Sequence, residues 1–179
     1  MEASNPPLPP ERAARLIRAN RYLTLATADD QGPWAAPINY VTGPGDFLHF
    51  YSTITARHSL AVSHTPRVAG AIFDTRAASE DVDGLQVAAS CTVVDAGQLD
   101  EVHSHYFEVN FADPTERKWW YRPPAAFLDG GVWRFYRLTI EEAYVIDFES
   151  IEKDRVDRRV TVDLEELWRL VTSPPPGSP

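Results

Sequence analysis

His49-Phe50-Tyr51-Ser52-Thr53-Ile54-Thr55-Ala56-Arg57-His58 passes from a strand, through a tight hydroxyl-rich turn, into a helix that opens on two basic side chains. Unpaired N–H groups at a helix start, three hydroxyls and a guanidinium together suit one phosphate. With a formal net charge of −9, the chain has no general basicity to explain such a cluster. The turn therefore predicts a phosphorylated cofactor held between strand and helix.

Upstream of it the apolar period is two. Tyr22-Leu23-Thr24-Leu25-Ala26-Thr27 alternates and runs into Asp29-Asp30-Gln31-Gly32, a strong hairpin signal. A second strand is predicted from Trp34 to Val41, and Gly43-Pro44-Gly45-Asp46 turns into a third, Phe47 to Ser52. Ahead of these, Ala14, Leu16 and Ile17 give a helix over Pro10–Asn20 a short apolar stripe. Downstream, a helix over Ala56–His64 is stopped by Thr65-Pro66, and Arg67–Asp74 and Leu85–Asp95 read as strands joined by a polar link, Thr75–Gly84.

The second half is less regular. A helix is predicted over Gln98–Phe111, and a Pro- and Trp-containing loop over Asp113–Leu128. Val132–Thr139 and Ala143–Phe148 read as a last antiparallel pair, and a terminal helix begins around Val162 with Asp163 as its cap. Consecutive strands lie too close for helical crossovers, which excludes a parallel doubly wound sheet. The fold class is therefore mainly β (α+β): an antiparallel, six-stranded split barrel with peripheral helices.

Composition agrees with a globular chain: 179 residues, 44% hydrophobic and 24% charged, enough for one domain with a real core. That domain is expected over residues 10–172, between flexible tails at 1–9 and at the Pro-rich 173–179. The acidic balance argues against a nucleic-acid or anionic membrane surface. No apolar run is long enough for a transmembrane helix, no secretory signal is visible, and the lone Cys91 fits a reducing compartment, so the expected location is cytoplasmic.

Other candidates read as structural. His103 and His105, with Glu101 and Glu108 nearby, suggest a metal site, but residues two apart on a helix do not face each other, so no metal is expected. Cys91 lies in the run Val87–Val94 and reads as inert core. His49 is expected near the barrel mouth and His64 at a helix end.

The ordered set resembles the FMN-binding split barrels of the pyridoxamine phosphate oxidase superfamily from about Arg21 to Phe148. It comprises Tyr22–Thr27, Gly32, Phe50-Tyr51-Ser52-Thr53 leading to Arg57-His58, Pro66-Arg67-Val68-Ala69, Leu85-Gln86-Val87 and Trp133–Leu138. The resemblance implies FMN as cofactor and a homodimer with the flavin at the subunit boundary. Ser52, Thr53, Arg57 and His58 would hold the phosphate, with Ser52 at the family's threonine, Arg57 at its arginine and His58 at its lysine. Ile38, Asn39 and Tyr40 would lie near the ring, and Gln86 would reach its polar edge. Trp119-Trp120-Tyr121, flanked by basic residues, would cover a core edge or subunit interface, or lie over the isoalloxazine.

The departures point away from the oxidase itself. Its second strand carries an arginine and a lysine where this chain has Ala36-Pro37-Ile38-Asn39-Tyr40-Val41-Thr42. Its C-terminal Arg-Leu-His-Asp-Arg run corresponds here to Glu152-Lys153-Asp154-Arg155-Val156, and Ile146 stands in place of the preceding tryptophan. The expectation is an FMN-dependent oxidoreductase acting on an unidentified small molecule. The alternatives are a non-catalytic flavin-binding or stress-related protein and a deazaflavin- or haem-binding relative. Against haem stands the lack of any histidine beyond His105.

Overall fold

The computed structural model describes residues 7–43, 45–78 and 82–173. The tail positions 1–6 and 174–179, Pro44 of the predicted turn and residues 79–81 of the polar link lie outside the described residues.

Helix α1 (Pro9–Ala19) starts on proline, and Glu11 accepts the Leu8 N–H at 2.8 Å. Its inward face carries Ala13, Ala14, Leu16 and Ile17. Strand β1 (Tyr22–Asp29) buries Leu23, Leu25 and Thr27 on one face. A two-residue turn, Asp30-Gln31, leads into β2 (Gly32–Asn39), where Gly32 takes φ +104, a conformation that favours glycine.

The β1–β2 register pairs Asp29 with Gly32 and Thr24 with Pro37. In a two-residue hairpin the hydrogen-bonded pairs then alternate from Asp29–Gly32, so positions 33, 35, 37 and 39 turn their backbone nitrogens to the free edge. Two of the four are prolines, which leaves that edge of the sheet only Ala35 and Asn39 as donors.

After β3 (Val41–Thr42) come β4 (Leu48–Thr53), α2 (Arg57–His64), β5 (Arg67–Phe73), β6 (Gly84–Val93) and α3 (Leu99–Asn110). Then follow α4 (Pro114–Trp120), β7 (Trp133–Ile146), α5 (Phe148–Asp154), β8 (Arg159–Thr161) and α6 (Leu164–Thr172). The strands form one antiparallel sheet in the order β2-β1-β5-β6-β7-β4-β3, with β8 added on β7. This is the split barrel expected, with eight strands among the described residues rather than six.

Three local readings are corrected. The expected final hairpin is one fourteen-residue strand, β7. Ala89 pairs with Ile140 and Ala88 with Glu142, so Glu141 is an extra residue at a β-bulge and not part of a turn. The expected loop over Asp113–Leu128 contains α4, capped by the Asp113 side chain accepting from Thr115 N–H at 2.7 Å. The expected strand Trp34–Val41 breaks at Tyr40, whose N–H bonds the Arg21 carbonyl while its ring enters the core.

Two cores result. The barrel interior holds Leu23, Leu25, Leu48, Phe50, Ile72, Leu85, Leu138 and Val145 and is closed by α1 and α6 through Ile17, Leu167 and Trp168. Burying a side chain the size of Phe50 contributes about 2–3 kcal/mol. A second, aromatic core lies on the other face of β4 and β7 under α3, with Tyr106, Phe107, Phe127 and Phe135. Asp163 caps α6 as expected, accepting from Glu166 N–H at 3.1 Å.

Candidate functional site

Strand β4 leaves the barrel at Ser52 and Thr53, and the chain reverses within three residues, Ala56 N–H bonding the Thr53 carbonyl at 3.1 Å. Helix α2 then begins at Arg57 with no side-chain cap and no acidic residue in its first turn. Its first backbone bond is Leu60 N–H to Ala56 O. Among the described residues, the N–H groups of Arg57, His58 and Ser59 therefore lack an acceptor.

His58 Nε2 lies 2.8 Å from Ser52 Oγ, so two of the predicted phosphate ligands meet at the same corner. Burial lowers the His58 pKa, which leaves the ring neutral near pH 7. An anion placed here meets a helix N-terminus, a hydroxyl and an imidazole without a nearby carboxylate in that turn.

Arg57 sits beside this corner but is already engaged. Its Nε and Nη2 donate to the two carboxylate oxygens of Asp29 at 2.7 and 2.8 Å, and Nη2 also reaches the Gly32 carbonyl at 3.3 Å. The guanidinium lies over the Trp34 ring, 4.8 Å from its centroid. The hydrogen bond and charge of Arg57 hold the Asp29 carboxyl below its usual range. The sequence marks Asp29 and Trp34 only as hairpin and strand residues: the Asp-Asp-Gln-Gly run reads as turn chemistry and hides the carboxylate's second role.

The remaining predicted site residues lie elsewhere. Ile38 and Tyr40 are core residues, and the Tyr40 hydroxyl donates to Ile17 O at 2.8 Å. Asn39 accepts from the Tyr106 hydroxyl through Oδ1 and its carbonyl, at 3.1 and 3.2 Å. What this segment offers a ligand is backbone, above all the Asn39 N–H on the free edge.

Gln86 is exposed on β6 and accepts from Arg159 Nε at 3.1 Å, so β8 contributes a cation that sequence reading did not find. Gln86 pairs with Tyr144 and Ser52 with Arg134, ten positions apart on β7. That is about 33 Å of strand contour. Gln86 therefore lies toward the opposite end of β7 from the Ser52–His58 corner.

The other histidines are occupied by structure. His103 Nε2 meets Arg122 O and His105 Nε2 meets Thr42 O, both at 2.7 Å. Cys91 is buried core as expected, its thiol pushed up to about 12 by burial. In the aromatic segment, Trp120 stacks on Phe111 and Tyr121 packs on Phe107, covering the edge of the second core, while Trp119 is 79% exposed. Among the described residues no helix is long and apolar enough to cross a membrane.

Solved structures share this fold at low identity. A heme binding protein from Mycobacterium smegmatis superimposes with TM-score 0.62 and 18% identity, over 91% of this chain and 61% of that one. This chain thus spans about three fifths of that protein. A FAD-binding protein from Mesorhizobium loti gives TM-score 0.57 and 18% identity over 74% and 90% of the two chains. The heme storage protein HutZ from Vibrio cholerae gives 0.57 and 19% over 73% and 89%. No curated protein matches the sequence. The profile of the pyridoxamine 5'-phosphate oxidase family matches residues 9–128, from α1 through the α2 corner, β6 and α3 to Leu128, ahead of β7. On that match and its split barrel, the chain belongs to the pyridoxamine 5'-phosphate oxidase-like family, as a member distinct from the oxidase itself.

Proposed function

We propose that the chain binds FMN through its phosphate at the start of α2 and works as a flavin-dependent oxidoreductase on a small molecule. The observation that carries this reading is the corner itself: three unpaired N–H groups, an Ser52–His58 pair at 2.8 Å and no acidic side chain in the first turn. Ser52 and Thr53 hold the phosphate, His58 donates to it, and Arg57 adds charge from the side. When bound, FMN supplies the hydride and electron chemistry, and the chain supplies position and electrostatics.

Gln86, with Arg159 beside it, reaches the polar edge of the flavin ring, and the flavin lies at the boundary of a homodimer. Asn39 N–H on the free edge of β2 is available to the ring. Haem is the less favoured ligand: Nε2 of His103 and His105 is already bonded and His49 is 1% exposed, leaving His58, which is paired with Ser52 at the phosphate corner, and His64 at the end of α2.

Adding FMN to purified protein and recording the visible spectrum tests the proposal. A flavin spectrum displaced from that of free FMN supports it. An unchanged spectrum of free FMN, or a Soret band with added haemin and none of the flavin shift, overturns it.

A further inference from the structure

We propose that Asp29 is a built-in counter-anion that sets how strongly the α2 corner prefers a phosphorylated ligand over its unphosphorylated form. The inference rests on the reading of that corner as the FMN phosphate site. Arg57 opens α2 beside the corner, yet Nε and Nη2 are both spent on the Asp29 carboxylate, and Nη2 also on Gly32 O. Among the described residues Nη1 alone makes no hydrogen bond, so a phosphate takes one guanidinium contact and not the bidentate pair.

Charge tells the same way. His58 is held neutral by burial, and Asp29 is held ionised by Arg57. Arg57, Asp29 and His58 together therefore carry no net charge at neutral pH, with Asp30 on the same turn and Arg134 across the ladder from Ser52 as a further cation. A dianionic phosphate is received by helix N–H groups and a hydroxyl, while the charge that Arg57 would offer its second negative charge is cancelled by Asp29. The hairpin is fixed enough to do this: Asp29 Oδ1 also accepts Gln31 N–H at 2.9 Å, and Trp34 covers the guanidinium. Specificity for FMN over riboflavin is thus tuned by a residue of the β1–β2 turn that need not touch the ligand.

The Asp29→Asn variant tests this, because Asn keeps one oxygen to cap Gln31 while it removes the negative charge and one of the two acceptors that hold Arg57. FMN and riboflavin are titrated into wild type and variant by flavin fluorescence. The expected result is a preference for FMN over riboflavin about tenfold larger in Asp29→Asn, with riboflavin affinity unchanged and a steeper loss of FMN affinity with salt. An unchanged or smaller preference overturns the inference. If wild type binds neither flavin, the flavin reading fails by itself, and inorganic phosphate decides the inference instead: its thermal stabilisation must be larger for Asp29→Asn than for wild type, and equal stabilisation overturns it. Asp29→Ser, which also retains an acceptor for Gln31, replaces the first variant if that one does not fold.

Discussion

Asp83 is buried against Arg12, with Nε and Nη2 of the guanidinium 2.9 and 2.8 Å from its two oxygens. The third nitrogen reaches Ile146 O at 2.9 Å, and the guanidinium lies over the Phe148 ring at 4.4 Å. One side chain thus joins α1 to the entry of β6 and to the end of β7. Such a pair is costly to break and cheap to replace, since removing one partner leaves a desolvated charge alone. Asp83→Asn is expected to lower stability by about 3–5 kcal/mol. The double variant Arg12→Met, Asp83→Leu should recover most of that loss, with urea unfolding as the measure.

His49 predicts acid sensitivity. It is 1% exposed, its Nδ1 has no partner, and a Cβ added at Gly43 would lie 2.4 Å from that atom. Burial first, then Arg137 and His105, pull its pKa down to about 4. The unfolded chain binds this proton at the ordinary histidine value while the folded chain resists it. The stability contributed is therefore present above about pH 6.5 and lost as pH falls toward 4, by about 3 kcal/mol in all. His58, also lowered by burial, acts with the same sign. His49→Gln should reduce the slope of stability against pH between 4 and 6.5; an unchanged slope would show that the ring is not held neutral.

Much of this fold is legible because its signals are local. Leu23, Leu25 and Thr27 alternate, a two-residue turn follows, and the register of β1 on β2 has little freedom. What escapes depends on partners distant in sequence. Glu141-Glu142 resembles a turn, and only the ladder to Ala88 and Ala89 makes it a bulge within one long strand. The site behaves alike: Ser52 and His58 are six residues apart and meet as expected, whereas Arg57–Asp29 spans 28 residues and Gln86–Arg159 spans 73. Hydrogen bonds that bridge two elements leave no periodicity to read.

His58 also gives the anion site a pH signature. In the free protein its imidazole is lowered and neutral, whereas an anion 3 Å away would favour imidazolium, about the separation of a charge-assisted bond. A group whose pKa rises on binding strengthens binding as pH falls. Sulfate, which does not itself titrate in this range, should stabilise the protein more at pH 5.5 than at pH 7.5 in thermal unfolding. His58→Gln should remove that difference while keeping a donor to Ser52.

Arg57→Ala should weaken FMN binding more than the loss of one contact implies. Without the guanidinium, Asp29 loses its partner at 2.7 Å and stands ionised at the rim of the corner, facing the phosphate. The net change is a lost cation and an exposed anion together, a loss of roughly 10- to 100-fold in affinity. Removing the carboxylate as well tests the cause. Asp29→Asn combined with Arg57→Ala should bind FMN more tightly than Arg57→Ala alone, because only the repulsion is relieved. Equal affinity of the two would mean that Arg57 acts by direct contact alone, and a weaker double variant would mean that the hairpin clamp matters through its shape and not its charge.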